Sequence, residues 1–469
     1  MRVQRRHFLK SAASLALAAP AFSTIASCAS DTAGATASTT FALPTLQPDP
    51  QGWLDLPPGF SYTRFSNTGE TMSDGFMVPA DHDGMAAFPV AGEPDRCILV
   101  RNHELNANRI DEGPFGKSLE LVDQLDRAKA YDFDVADTPL AAGTTSLLYN
   151  TRTGQLEESW LSVIGTDRNC SGGPTPWGSW ITCEESTMNA GGLTQKDHGF
   201  AFEVPSAHMG LVEAIPLKAM GRFNREAAAV DPSTGIVYQT EDTANGLIYR
   251  FLPDAPGELA KGGRLQALAL MGMPQGDTRN WNETTIEAGI SLPVRWVDLD
   301  NVTAPDGDLA QRGRAAGAAM FARGEGMAFA LEDMKAAIYF ACTSGGAAEC
   351  GQIWRYQPSE FEGTDREAEA PGMLTLHFES PDRTTMDMCD NIVAAPWGHL
   401  VICEDGPDDE FVRGLTADGQ VYPIARNAHP DQSEFAGACF SPDGSTLFVN
   451  MQSPGSTFAI TGPWRSLYA

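Results

Sequence analysis

The chain has 469 residues, with 32 Lys and Arg against 61 Asp and Glu and a formal charge of −29. That balance excludes a nucleic-acid binder, which needs a basic face to neutralise phosphates, and suits a protein kept soluble outside the cytoplasm or one that collects cations. Hydrophobic residues make up 42% and charged residues 20%, a globular composition, while 46 Gly and 31 Pro favour a turn-rich β protein over a helix bundle.

Residues 1–28 read as a leader. Arg2, Arg5, Arg6 and Lys10 stand without any acid before the apolar run Ser14-Leu15-Ala16-Leu17-Ala18-Ala19, which is too short to span a bilayer. Arg5-Arg6-His7-Phe8-Leu9-Lys10 has the form of a twin-arginine export signal. It implies the Tat translocon as a partner and a periplasmic or membrane-surface destination. Ile25-Ala26-Ser27-Cys28 resembles a lipobox, in which Cys28 would be acylated and anchor the mature chain; ordinary cleavage nearby is the alternative. Residues 29–50, rich in Ala, Thr, Ser and Pro, read as a flexible tether, and residues 51–469 as one β domain that works as a monomer. The eight cysteines after Cys28 include no CxxC pair, so neither zinc-ribbon nor thioredoxin spacing is present. Cys342 and Cys350 are spaced to close a short loop in an oxidising compartment.

Six segments repeat one form, an apolar β-rich run closed by acids or amides: residues 97–104, 180–185, 236–242, 337–343, 400–405 and 447–452. Turn sequences such as Asp231-Pro232-Ser233-Thr234-Gly235 and Ser441-Pro442-Asp443-Gly444 precede several of them. The pattern predicts an all-β six-bladed β-propeller whose innermost strands are these segments. Two insertions interrupt it: residues 105–145, with a helix over 118–130, and residues 255–322, with an Ala-rich helix over 309–322. The strand ends place Glu104, Glu184, Glu185, Glu241, Asp242, Glu404 and Asp405 toward one rim. Converging carboxylates raise one another's pKa. Multivalent cations relieve that repulsion, and hard oxygen ligands suit calcium, magnesium or ferric iron. His103 reads as an orienting hydrogen-bonder, and Cys183 and Cys403 as core residues.

The segment Asn169-Cys170-Ser171-Gly172-Gly173-Pro174-Thr175-Pro176-Trp177-Gly178-Ser179-Trp180-Ile181-Thr182-Cys183-Glu184-Glu185 resembles the most recognisable motif of the PhoX alkaline phosphatases. Gly221-Arg222-Phe223-Asn224-Arg225-Glu226-Ala227, Arg323-Gly324-Glu325-Gly326, Cys389-Asp390-Asn391 and Glu434-Phe435-Ala436-Gly437 are similar to further family segments, in order along the mature chain. The resemblance implies a six-bladed propeller phosphatase with a mixed cluster of Fe3+ and Ca2+ touched by a cysteine thiolate. On this chain the thiolate would be Cys170, which also makes it a catalytic residue. Glu185, Glu226, Glu325 and Asp390 would be metal ligands, with Asn391 a further oxygen donor. Either Glu226 or Glu241 would fill the remaining ligand position. Arg323 would face the phosphate. The expected reaction is hydrolysis of small phosphate monoesters, with diesters left open. A calcium-dependent propeller lactonase or esterase, and a non-catalytic surface lipoprotein, are the alternatives. No G-x-S-x-G nucleophile elbow is present, which disfavours a covalent serine route.

Overall fold

The computed structural model describes residues 44–465; the leader, Cys28 and most of the expected tether lie outside them. Within that range the chain is almost entirely antiparallel sheet, in sheets of three, four, four, five and nine strands arranged in a propeller-like manner. The nine-stranded sheet is two halves sewn together, where Ser291–Asp298 pairs with Met373–Glu379 over three residues at its centre.

Six short strands pack side by side around a common centre: β1 (His82–Val90), β2 (Asn169–Pro174), β3 (Arg225–Val230), β4 (Gly324–Glu332), β5 (Cys389–Ala394) and β6 (Phe435–Phe440). Each packs against the next, and β6 returns to β1. The repeated segments expected to be innermost are instead the second strand of each unit, hydrogen-bonded to the outside of β1 to β6. The physical reason is composition. The second strands are buried on both faces between neighbouring sheets and so read as continuous apolar runs, whereas the inner strands are rich in Gly, Ala and polar residues because they meet backbone to backbone.

That close approach is measurable at Gly173, where an added Cβ would stand 1.9 Å from the Ala228 carbonyl oxygen of the neighbouring inner strand. Gly173→Ala is therefore expected to destabilise the fold by roughly 1–3 kcal/mol, the usual cost of overpacking, read as a lowered Tm. Unchanged stability would show that the inner strands can separate without loss.

Strands from the two ends of the domain close the ring. Ser61–Phe65 adds to Ser456–Thr461, and Leu54–Asp55 adds to Val421–Asn427. The last part of the expected tether is already tied down, since Gln47 N–H donates to the Leu56 carbonyl and the Asp49 carboxylate accepts from Trp53 and Tyr62.

Both expected helices are shorter than their sequences suggest. Over 118–130 there are only two 3₁₀ turns, Val122–Gln124 and Arg127–Lys129. Leu119 takes φ +59, and Asp126 breaks the chain to accept the Ala128 N–H, a capping preference that competes with helix continuation. The Ala-rich helix covers Leu309–Ala315 and stops at Gly317, φ +102. Ala318, Ala319 and Ala322 are then buried outside any helix, with the Ala319 N–H bonded to the Leu268 carbonyl. Tertiary burial overrides their helix propensity.

The eight described cysteines are all buried free thiols, so the expected Cys342–Cys350 bridge is not formed. No described helix is long and apolar enough to cross a membrane.

Candidate metal centre

Each inner strand begins with the same local device. The first residue of β1 to β5 pairs with the next-to-last residue of the repeated segment outside it: His82 with His103, Asn169 with Glu184, Arg225 with Glu241, Gly324 with Cys342 and Cys389 with Glu404. Immediately afterwards the register slips, three residues of inner strand facing two of outer strand. A bulge of this kind re-aims side chains. The residues it turns are Asp83, Cys170, Glu226, Glu325 and Asp390, and all five line one cavity of about 500 Å³. In β6 the slip comes one residue later and the equivalent position is Ala436; there the acid is Glu434, just before the strand.

The residue before each inner strand is fixed in the same way. Its carbonyl accepts the N–H of the last residue of the repeated segment: Asp81 from Glu104, Arg168 from Glu185, Asn224 from Asp242, Arg323 from Thr343, Met388 from Asp405 and Glu434 from Gln452, at 2.9–3.2 Å. Asp81, Arg168, Arg323 and Met388 all have φ between +46 and +54. A left-handed backbone at four non-glycine residues is strain held at a site by its surroundings.

The alternation of a strand sorts the paired acids at its end. In the pairs Glu184-Glu185, Glu241-Asp242 and Glu404-Asp405, the second residue lines the cavity and the first is spent inside the fold. Glu184 accepts the Asp167, Gly199 and Phe200 amides. Glu404 accepts the Asp387 amide and Arg413 Nε. Glu241 Oε2 accepts the Leu247 amide at 2.9 Å and the Tyr249 hydroxyl at 2.8 Å. Between the two alternatives left open by the sequence, Glu226 is therefore the one facing the cavity, and Glu241 is not among its lining residues. Asn391 also departs from expectation. Its Oδ1 accepts the Gly437 amide at 2.7 Å and its Nδ2 donates to Asp390 Oδ1 at 3.0 Å, so it orients Asp390 rather than offering a ligand oxygen to the cavity. His103 is an internal hydrogen-bonder to Ala80 and Thr145, as expected.

Three sets of ligand atoms converge to within 4.8 Å of one another: Cys170, Glu185 and Glu226; Glu226, Glu325 and Asp390; Asp83, Glu104 and Glu434. Glu226 belongs to two of them, and its Oε2 lies 2.5 Å from Cys170 Sγ. Burial first, then the charges of Asp390, Glu185 and Asp83, hold Glu226 well above the usual carboxylate range. Burial and the neighbouring acids do the same to Asp83, Glu325 and Glu434, raise Glu185 to about 9 and Asp390 to about 8, and push the Cys170 thiol up. These groups resist ionising beside one another, and a bound multivalent cation removes the penalty.

Arginines stand between the acids. Arg323 donates from Nε and Nη2 to Asp242 at 2.8 and 2.9 Å, and from Nη2 to Glu325 at 3.0 Å; Nη1 carries none of these bonds. Arg168 bridges Glu104 (2.7 Å) and Glu185 (2.6 Å). Arg109 pairs with Asp81 and Glu112 on the rim. Asp83, Arg168 and Arg109 were not singled out from the sequence. Arg168 was within reach, because it precedes Asn169-Cys170 as Arg323 precedes Gly324-Glu325.

The model of the family described as alkaline phosphatase PhoX matches residues 41–455. The chain belongs to the PhoX alkaline phosphatase family. It is accordingly a phosphatase. Among solved structures, the Pseudomonas fluorescens PhoX in complex with vanadate, a transition-state analogue, has 16% identity and a TM-score of 0.63, covering 90% of this chain and 97% of that one. A gluconolactonase from Xanthomonas campestris, 12% identical over 87% of this chain and 98% of its own, has a TM-score of 0.40. No curated protein matches the chain in sequence.

Proposed function

We propose that this PhoX-family chain is an exported, metal-dependent phosphatase of small phosphate monoesters, built as a six-bladed propeller with its cluster at the cavity mouth. The observation that carries the reading is a buried thiol and carboxylates from five inner strands or their leading residues, gathered around a single cavity. The donor set fits a mixed cluster. Cys170 supplies one soft ligand, and the all-carboxylate sets Glu226–Glu325–Asp390 and Asp83–Glu104–Glu434 suit hard cations, supporting Fe3+ near the thiolate and Ca2+ beyond it. Such ions, when bound, would polarise phosphoryl oxygens and lower the pKa of nearby water.

The chain's own residues do the rest. Arg323 lies about one-third exposed at the cavity, held by Asp242 and Glu325, so its planar fork is oriented before substrate arrives. That suits it to bind phosphate oxygens and to stabilise charge as it spreads over the equatorial oxygens of the transition state. Arg168, bridging Glu104 and Glu185, holds those two carboxylates turned inward. Asn391 fixes Asp390. Export through the twin-arginine route, anchoring at Cys28 and a monomeric state belong to the same reading and rest on Arg5–Lys10, Ile25–Cys28 and the tether composition.

The test is hydrolysis of para-nitrophenyl phosphate by the natively exported protein before and after calcium chelation, with iron and calcium measured on the same sample. Activity is expected to fall by at least ~10-fold on chelation and to return with calcium. Activity indifferent to chelation, or protein fully active without iron, would overturn the cluster.

A further inference from the structure

The loop that follows Asp405 leaves buried carboxylate oxygens without donors. Glu404 ends the strand Leu400–Glu404; its Oε1 is satisfied by the Asp387 amide and Arg413, both at 2.9 Å, but its Oε2 has no partner among the described residues. Glu410, at the far end of the loop, is 1% exposed, and neither of its oxygens has a hydrogen-bond partner there. The Gly406 N–H points toward it without reaching hydrogen-bond geometry. Gln432 Oε1 is a further unpartnered buried acceptor, on a segment joined to the loop by the Asn427 N–H to Glu410 carbonyl bond of 2.9 Å.

Burial, then the charges of Asp405, Glu404 and Asp387, push Glu410 up to about 9, against the opposing Gly406 amide. Buried acceptors gathered without donors are rare because each loses its water for nothing in return. A cation or a proton resolves them. A single proton on Glu410 can also be donated to one neighbouring acceptor, but of the three bare carboxylate oxygens it leaves at least one without a partner.

We propose that Glu410 and Glu404 Oε2 form a second cation site, distinct from the cavity cluster, that takes a hard divalent ion, calcium by its oxygen-only donors. The ion ties the 405–410 loop to the strand it leaves. Asp405 lines the cavity from the first position of that loop, so the ion steadies one wall of the phosphatase site without touching substrate.

The experiment compares the wild-type holoprotein with Glu410→Gln, measuring calcium and iron per chain and Tm against added CaCl2. Glu410→Gln is expected to carry about one calcium fewer, to keep its iron and to lose most of the calcium-dependent rise in Tm. An unchanged calcium count with an unchanged calcium response would overturn the site and leave Glu410 as a protonated carboxyl, for which the amide is a close substitute. If Glu410→Gln does not fold, Glu410→Asp decides: it is expected to need ~10-fold or more calcium for the same Tm gain, and a wild-type calcium response would overturn the proposal. Neither readout uses phosphatase activity, and the iron count reports separately on the cavity cluster.

Discussion

Glu226→Gln is expected to lower phosphatase activity by at least ~100-fold and to strip metal from the protein. Glu226 is the one carboxylate shared by two ligand sets, it is 3% exposed, and it touches Cys170 Sγ. The amide keeps the volume and removes the anion, so the effect falls on cation binding rather than on packing. Glu241→Gln is the matched control. Its carboxylate is turned away from the cavity to the Leu247 amide and the Tyr249 hydroxyl, both of which an amide oxygen also accepts. Measuring kcat/KM on para-nitrophenyl phosphate, with metal per chain, separates the two. A Glu226→Gln protein that keeps its metal and its rate would dismantle the assignment, as would an inactive Glu241→Gln that folds normally.

His198→Leu is expected to destabilise the protein by about 3–5 kcal/mol, the magnitude found when one partner of a buried ion pair is removed. His198 is completely buried, with Nδ1 2.6 Å from Glu184 and Nε2 3.2 Å from Asp132. Burial alone would lower its pKa, but the Glu184 charge and the Asp132 hydrogen bond outweigh it and raise the value from 6.5 to about 10. A pKa raised on folding contributes stability that is complete below pH 6.5 and is lost as pH climbs through about 10. The wild type should therefore lose Tm between neutral and strongly alkaline pH. A Gln at 198 should start lower and show a flatter profile over that window. Equal slopes in calorimetric scans would mean that the imidazole is neutral in the folded state.

This pair also links two parts of the chain that sequence treats as unrelated. Asp132 lies in the 105–145 insertion, and Glu184, the last residue of the strand Ser179–Glu184, precedes the cavity-lining Glu185. The insertion is thus fastened to the strand that leads into a cavity-lining carboxylate. Asp132 also accepts the Gln195 and Lys196 amides, which brings in the segment carrying His198 itself.

Much of the site could be named in advance. Cys170, Glu185, Glu226, Glu325 and Asp390 were expected together and do line one cavity, as do Arg323, Glu104, Asp242 and Asp405. Asp83 was missed because it stands in His82-Asp83-Gly84, outside any apolar run closed by acids. Glu241 and Asn391 were misplaced for a different reason: each neighbours a cavity residue in sequence, and adjacency does not say which of two consecutive side chains points inward. The two shortened helices failed where burial of alanines and a capping Asp outweighed local propensity.

Composition, the acid-terminated apolar runs and the turns between them determined by themselves that this is an acidic β protein of repeated units carrying a multi-carboxylate centre, since those features follow from local chemistry and burial. Which strand is innermost, and which acid of each pair faces the cavity, was decided only when the strands were packed. An extra residue at or near the start of each inner strand rotates the side chains that follow it, and that rotation depends on the register with the paired strand and on packing against the inner strands of neighbouring units, which no local run of sequence encodes.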